Sequence, residues 1–224
     1  MHDLGENKTV KQILFSALVA AVSLFVNGLG VYLTIHAGIG AGPGDVLNKG
    51  LSKTFGILYG NASIAVSLCI LLVDVLLHEN IGIAMFIDAV VVGKAVDFFE
   101  WLDPIPVPGT LPAGIVLILI GLTIMGYTQF TYMKAALGCG PRDTLLVGLS
   151  RRMKRIPIGA VSIALLSAAT LAGWLLGGPV GIGTLLCAFL SGPIMQLAFK
   201  SVRFDATLIR HQKLQESFRI FAGK

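Results

Sequence analysis

The sequence predicts an all-α polytopic membrane protein, with about six transmembrane helices arranged as two inverted three-helix repeats. Three observations predict it. Apolar residues make up 55% of the 224-residue chain, charged residues only 13%, and the mean hydropathy is +0.83, whereas soluble domains average about 45–50% apolar and about 25% charged. The apolar residues fall into six continuous stretches. Finally, the segment His36-Ala37-Gly38-Ile39-Gly40-Ala41-Gly42-Pro43-Gly44-Asp45 recurs in outline at Lys134-Ala135-Ala136-Leu137-Gly138-Cys139-Gly140-Pro141-Arg142-Asp143.

Residues 1–12 are polar and read as a cytoplasmic N-terminus, followed by a first repeat over 13–99. Its spans are Ile13 to Ile35, Ile57 to Leu77 and Ile81 to Phe98, the last being the shortest. Each approaches the roughly 20 residues that cross about 30 Å of hydrocarbon at 1.5 Å per residue. The first span runs into a glycine-rich loop and not into a small-residue cleavage site, so it is a retained helix. Residues 100–110 form an external linker whose Pro104-Ile105-Pro106-Val107-Pro108 run excludes helix. The second repeat covers 111–199, with spans Leu111 to Tyr132, Ile156 to Leu176 and Val180 to Phe199. Strands of a membrane barrel alternate over about 10 residues, and these runs are continuous.

Between the first and second spans of each repeat lies a short helix, Pro43 to Phe55 and Pro141 to Met153. Proline suits the first helical position, where its missing N–H costs nothing, and Asp45 and Asp143 fall in the first turn, facing the positive end of the helix dipole. Val46, Leu47, Gly50 and Leu51, and likewise Leu145, Gly148 and Leu149, share one stripe at i, i+3, i+4 spacing. About 13 residues rise about 20 Å, too little to span a bilayer. The helices are therefore either re-entrant or interfacial.

The repeat extends beyond these helices. Gly28 matches Gly126, and Gly50-Leu51-Ser52 matches Gly148-Leu149-Ser150. After a slip of one residue, Gly60, Ser63, Ile64, Gly82 and Gly93 match Gly159, Ser162, Ile163, Gly181 and Gly192. Three spans per half is an odd number, so the second half enters the membrane inverted. Many secondary transporters are built this way, with binding sites near the midplane formed by broken helices.

Charge sets the orientation. With the N-terminus inside, fourteen of the 17 Lys and Arg residues are cytoplasmic, against Lys49 and Lys53 outside and Lys94 within a span. The positive-inside rule places both termini in the cytoplasm of a cell inner membrane. The basic balance is thereby absorbed by topology, and no nucleic-acid partner is implied. Residues 200–224 form a cytoplasmic tail, in which Phe204, Leu208, His211, Leu214, Phe218 and Phe221 share a helical face suited to the leaflet surface. Cys69, Cys139 and Cys187 are an odd number and give no disulfide framework.

The candidate binding site is the pair of loops: Gly42, Pro43 and Asp45 with Gly140, Pro141 and Asp143, joined by His36 and Lys134 at equivalent repeat positions. Two helix N-termini favour an anionic group, while the aspartates suit a cation or proton. The simpler reading is that each aspartate caps its own helix, and that His36 and Lys134 snorkel. Candidate coupling residues are Asp88, Lys94 and Asp97, ionisable groups in an apolar span. Lys94 and Asp97 are three apart and can form a structural ion pair. Asp74 reads as interfacial. No HExxH, CxxC or Walker loop is present, so an enzyme, a bound metal and a cofactor are not expected.

Gly28-Leu29-Gly30, the two Gly-Pro-x-Asp motifs each followed by Gly-Leu-Ser, Gly181-Ile182-Gly183-Thr184 and Gly192-Pro193 together resemble the YczE/YyaS/YitT family of bacterial integral membrane proteins. The resemblance covers Phe25 to Phe199. It implies a multi-pass inner-membrane protein, in some members described as a permease or exporter. The first half departs from its own copy at Gly93-Lys94, which stands for Gly192-Pro193, and at Ala84-Met85, which stands for Gly183-Thr184. The expected function is a secondary transporter or exporter of a small solute. The alternative is a binding or accessory module acting with a partner protein, and the lipid bilayer and a homodimer complete the expected associations.

Overall fold

In the computed structural model, described for residues 10–79, 81–135, 140–153 and 155–202, the described residues form eight helices. They are α1 Val10–His36, α2 Pro43–Phe55, α3 Tyr59–Leu76, α4 Ile83–Leu102, α5 Leu111–Lys134, α6 Pro141–Arg152, α7 Ile158–Leu175 and α8 Ile182–Ser201. No strand occurs among the described residues. The amphipathic tail expected beyond Val202, most of the second glycine-rich loop and the start of the N-terminal segment lie outside them.

Five helices, α1, α3, α5, α7 and α8, are long and apolar enough to cross a membrane. At 20 residues α4 is as long as α8, but Asp88, Lys94, Asp97 and Glu100 interrupt its apolar character. It also outlasts the expected span, continuing through Glu100 to Leu102. Nothing before Pro104 breaks it, and Asp103 ends it in the left-handed region at φ 43°. The linker thus starts at Asp103. The outer surface of the helices carries large apolar side chains, Phe15, Leu76, Phe189 and Trp101 among them, each at least two thirds exposed, as lipid contact requires.

The packing is governed by small residues, which let helix backbones meet where no hydrophobic force separates protein from lipid. Helices α1 and α5 cross at the centre, where Gly30 and Gly121 present their carbonyls to one another; a Cβ on either would lie 2.7–2.8 Å from the other's oxygen. Asn27 Nδ2 donates to Thr128 Oγ1 at 2.9 Å across the same pair. Around this crossing α4 packs on α1, α8 on α5, α3 on α4, α7 on α2 and α6 on α3. The buried core between them is Val31, Tyr32, Leu33, Val96, Leu117, Ile118 and Leu122.

Candidate functional site

The first glycine-rich loop is held inside the protein. Ala37 and Ala41 are fully buried, and backbone at that position needs protein partners. Ala41 N–H donates to Pro179 O at 3.1 Å, and Gly183 N–H donates to Ile39 O at 2.8 Å. Gly40 sits at φ +116°, where a Cβ would also strike Gly181 N at 2.7 Å, so only glycine fits. The loop therefore delivers Pro43 to one fixed place. Gly42 is the N-cap of α2, Pro43 opens it, and Gly56 closes it in the left-handed region. Thr170 Oγ1 on α7 donates to Pro43 O at 3.2 Å.

From that start Asp45 reaches α3. Tyr59 Oη donates to Asp45 Oδ1 at 2.7 Å, and Asn48 Nδ2 donates to Tyr59 Oη at 3.2 Å. Lys49 pairs with Glu100 of α4 and lies 5.5 Å from the Tyr59 ring centroid. The second short helix begins alike, with Gly140 as N-cap and Pro141 next. Asp88 of α4 leans on this start, its Oδ2 2.7 Å from where a Cβ on Gly140 would be.

The Arg142 side chain reaches from one start to the other. A Cβ on Gly44, in the first turn of α2, would lie 3.6 Å from Nη1 of Arg142, in the first turn of α6. Arg142 acts electrostatically on both Asp45 and Asp88, and Asp143 acts on Asp88. The exposed Arg142 guanidinium is thus within electrostatic reach of Asp45 and Asp88. Among the described residues no three His, Cys, Asp or Glu side chains come close enough to hold a metal ion. The carboxylates come from three different helices, Asp45 from α2, Asp88 from α4 and Asp143 from α6.

The other sequence candidates sit elsewhere. His36 Nε2 makes a 2.6 Å hydrogen bond with Ile105 O and lies 3.9 Å from Asp103 Oδ1, so it is engaged with the linker. Lys134 Nζ lies 5.8 Å from the Phe130 ring centroid. Lys94 and Asp97 form the ion pair at 3.4 Å, Lys94 Nζ also donates to Asn61 Oδ1 at 2.7 Å, and Asp97 Oδ1 accepts the Gly60 N–H at 2.6 Å. Together they clamp the start of α3 onto α4, where Gly60 and Gly93 are in backbone contact.

Comparison with known proteins follows this geometry. Residues 14–200 match a family of unknown function, DUF6198. The chain belongs to that family. An uncharacterized protein of Haemophilus influenzae is 31% identical over 193 residues, 86% of this chain and 84% of its own length. The uncharacterized membrane protein YczE of Bacillus subtilis is 29% identical, covering 78% of this chain and 81% of its own. The uncharacterized protein YyaS of the same organism is 27% identical, covering 79% and 88%. No solved structure matches. The names YczE and YyaS agree with the resemblance read from the glycine motifs, and YczE is named as a membrane protein.

Sequence reasoning missed Tyr59, Asn48 and the role of Arg142. The first two are ordinary residues in a span and a short helix, and only folding brings them to Asp45. Arg142 had a visible mark: it is the variable position of Gly-Pro-x-Asp, and it matches Gly44 in the other copy.

Proposed function

We propose that this protein is a secondary transporter or exporter of a small polar solute, embedded in the cell inner membrane with both termini cytoplasmic. The observation that carries the reading is the approach of the Arg142 guanidinium to Gly44, 3.6 Å from where a Cβ would lie. These are equivalent positions of the sequence repeat, and equivalent residues touch only near the axis that relates two copies. The packing pattern supports the same relation. Exchanging the halves turns the α1–α4 contact into α5–α8, α2–α7 into α6–α3, and α2–α3 into α6–α7. In this reading α2 and α6 are re-entrant half-helices that start beside the axis from opposite faces, and Asp45, Asp88, Asp143 and Arg142 line the solute site. Non-helical backbone at membrane depth is tolerated only inside protein or a wet cavity, and the stretch from Gly40 to Gly42, buried beside Pro179 and Gly181, meets that condition.

One contact has no counterpart, and it supports alternating exposure of the site. Gly60 and Gly93 lock α3 to α4, while their repeat mates Gly159 and Gly192 have no atom within 4 Å of a Cβ. The α7–α8 side is the open one in this arrangement. Closing it while α3 and α4 part would expose the site to the other face, a rocking of one repeat against the other.

The test is flux. Purified protein in liposomes, screened against small charged and zwitterionic solutes, is expected to move one class, and Asp45→Asn with Asp143→Asn is expected to reduce that flux by at least roughly tenfold, the equivalent of about 1.4 kcal/mol of lost binding. Normal flux in the double variant would leave the aspartates as helix caps only. Absence of flux for every class, with wild-type protein folded, would favour the binding or accessory module that acts with a partner protein.

A further inference from the structure

Away from this site, Asp74 is fully buried near the end of α3, and neither of its carboxylate oxygens has a hydrogen-bond partner among the described residues. A buried ionised carboxylate without a partner is among the costliest arrangements a protein can hold. Something must neutralise it. A hard metal cation draws on several oxygen ligands, and no group of three acidic or metal-binding side chains exists among the described residues. A proton needs only the carboxyl itself.

The surroundings suit a proton that comes and goes. Glu79 is the charged group that acts on Asp74. Glu79 is in turn held by α6: Arg152 Nη1 lies 2.7 Å from Glu79 Oε1, and Arg151 Nη1 lies 3.5 Å from Glu79 Oε2. Arg152 also bonds to Gly148 O at 2.9 Å and to Leu77 O. Among the described residues, His78 follows α3 four positions after Asp74, and the charged groups that touch α3 at its opposite end are Asp45 and Lys49 of α2 at Tyr59, and Lys94 and Asp97 of α4 at Asn61 and Gly60.

The sequence repeat sharpens the point. It aligns Asp74 with Gly173 and Glu79 with Gly178. In the other half those glycines press against the backbone of α2, where a Cβ on Gly173 would lie 2.4 Å from Leu47 N and one on Gly178 would lie 2.2 Å from Val46 O. The α2–α7 seam is thus closed by backbone contact, while the α6–α3 seam carries two carboxylates at the matching positions. At these two matching positions only the second seam has a titratable group.

We propose that Asp74 is a proton-binding site that controls the grip of α6 on α3, and hence the position of Arg142 and Asp143 at the start of α6. With the proton bound to one Oδ, the carboxyl is neutral and the seam stays shut. When that proton leaves to water, the O–H bond breaks, the carboxylate demands a cation, and Arg151 and Arg152 are the cations at hand. Drawing one of them from Glu79 loosens α6. The further step, that this proton drives solute movement, rests on the transport reading above.

Infrared difference spectroscopy between acid and alkaline pH, on the full chain in lipid nanodiscs, reads the site directly. The expected result is a carboxylic acid band that is absent in Asp74→Asn, and shifted in Asp74→Glu should the first variant not accumulate. Hydrogen exchange of residues 141–152 reads the grip. At alkaline pH the wild type is expected to exchange roughly tenfold faster there than Asp74→Asn, and at acid pH the two should agree. No Asp74-dependent acid band, or equal exchange at both pH values, would overturn the proposal. Failure of solute flux with band and exchange intact would remove only the transport reading.

Discussion

Replacing Gly173 by valine is expected to abolish the folded state in detergent, or to lower its stability by about 3 kcal/mol or more, because the new side chain has nowhere to go. Its Cβ would lie 2.4 Å from Leu47 N and 2.5 Å from Val46 C. These are backbone atoms of α2, and they cannot turn aside as a side-chain tip can. Overpacking of a closed interior costs roughly 1–3 kcal/mol even where neighbours can adjust. Gly159 is the control on the same helix. Nothing lies within 4 Å of its Cβ position, so Gly159→Ala should be neutral or gain up to about 1 kcal/mol of helix propensity. Thermal unfolding followed by size-exclusion chromatography separates the two variants. Equal behaviour would mean that the α2–α7 seam is not the tight contact described.

The second large effect concerns the arginine at the centre. Arg142→Gly removes a guanidinium that acts on Asp45 and Asp88, leaving Lys49 and the Tyr59 hydroxyl at Asp45 and less positive charge against the repulsion of Asp88 and Asp143. Loss of stability by about 1–3 kcal/mol, the usual cost of leaving a partly buried charge unpaired, and loss of solute handling are expected. Adding Gly44→Arg to that variant should restore much of both. The two positions are repeat mates, and among the described residues Arg142 Nη1 is the one atom found within 4 Å of a Cβ on Gly44, so an arginine grown from α2 can enter the space vacated from α6. Rescue by the swap is difficult to obtain unless the copies face one another. A double variant as damaged as Arg142→Gly would remove the argument for a shared site.

The sequence was most informative where local chemistry decides. Pro43 and Gly56 bracket α2, so its bounds follow from helix-end chemistry. The long apolar runs likewise mark α1, α5, α7 and α8 to within a few residues, because a bilayer tolerates little else. The Lys94–Asp97 pair was legible from its spacing on one helix. What it holds was not, since Gly60 lies on another helix. His36 shows the converse limit: its repeat position linked it to the binding loops, but Ile105 and Asp103 fold back to meet it, and a return of that kind leaves no periodic trace. Asp74 reads as interfacial from its place near a span end, yet neighbouring helices bury it completely. Burial by tertiary contact, unlike burial in lipid, is written in no single stretch of sequence.

The central claim is that the two Gly-Pro-x-Asp helix starts share one site, and a cross-link tests it most directly. With Cys69, Cys139 and Cys187 replaced by alanine, Gly44→Cys and Arg142→Cys should be joined within one chain by a short bifunctional thiol reagent in native membranes. Each single-cysteine protein should take up the monofunctional form of the reagent. High intramolecular cross-linking is the predicted result. Labelling of both cysteines without any cross-link would contradict the account.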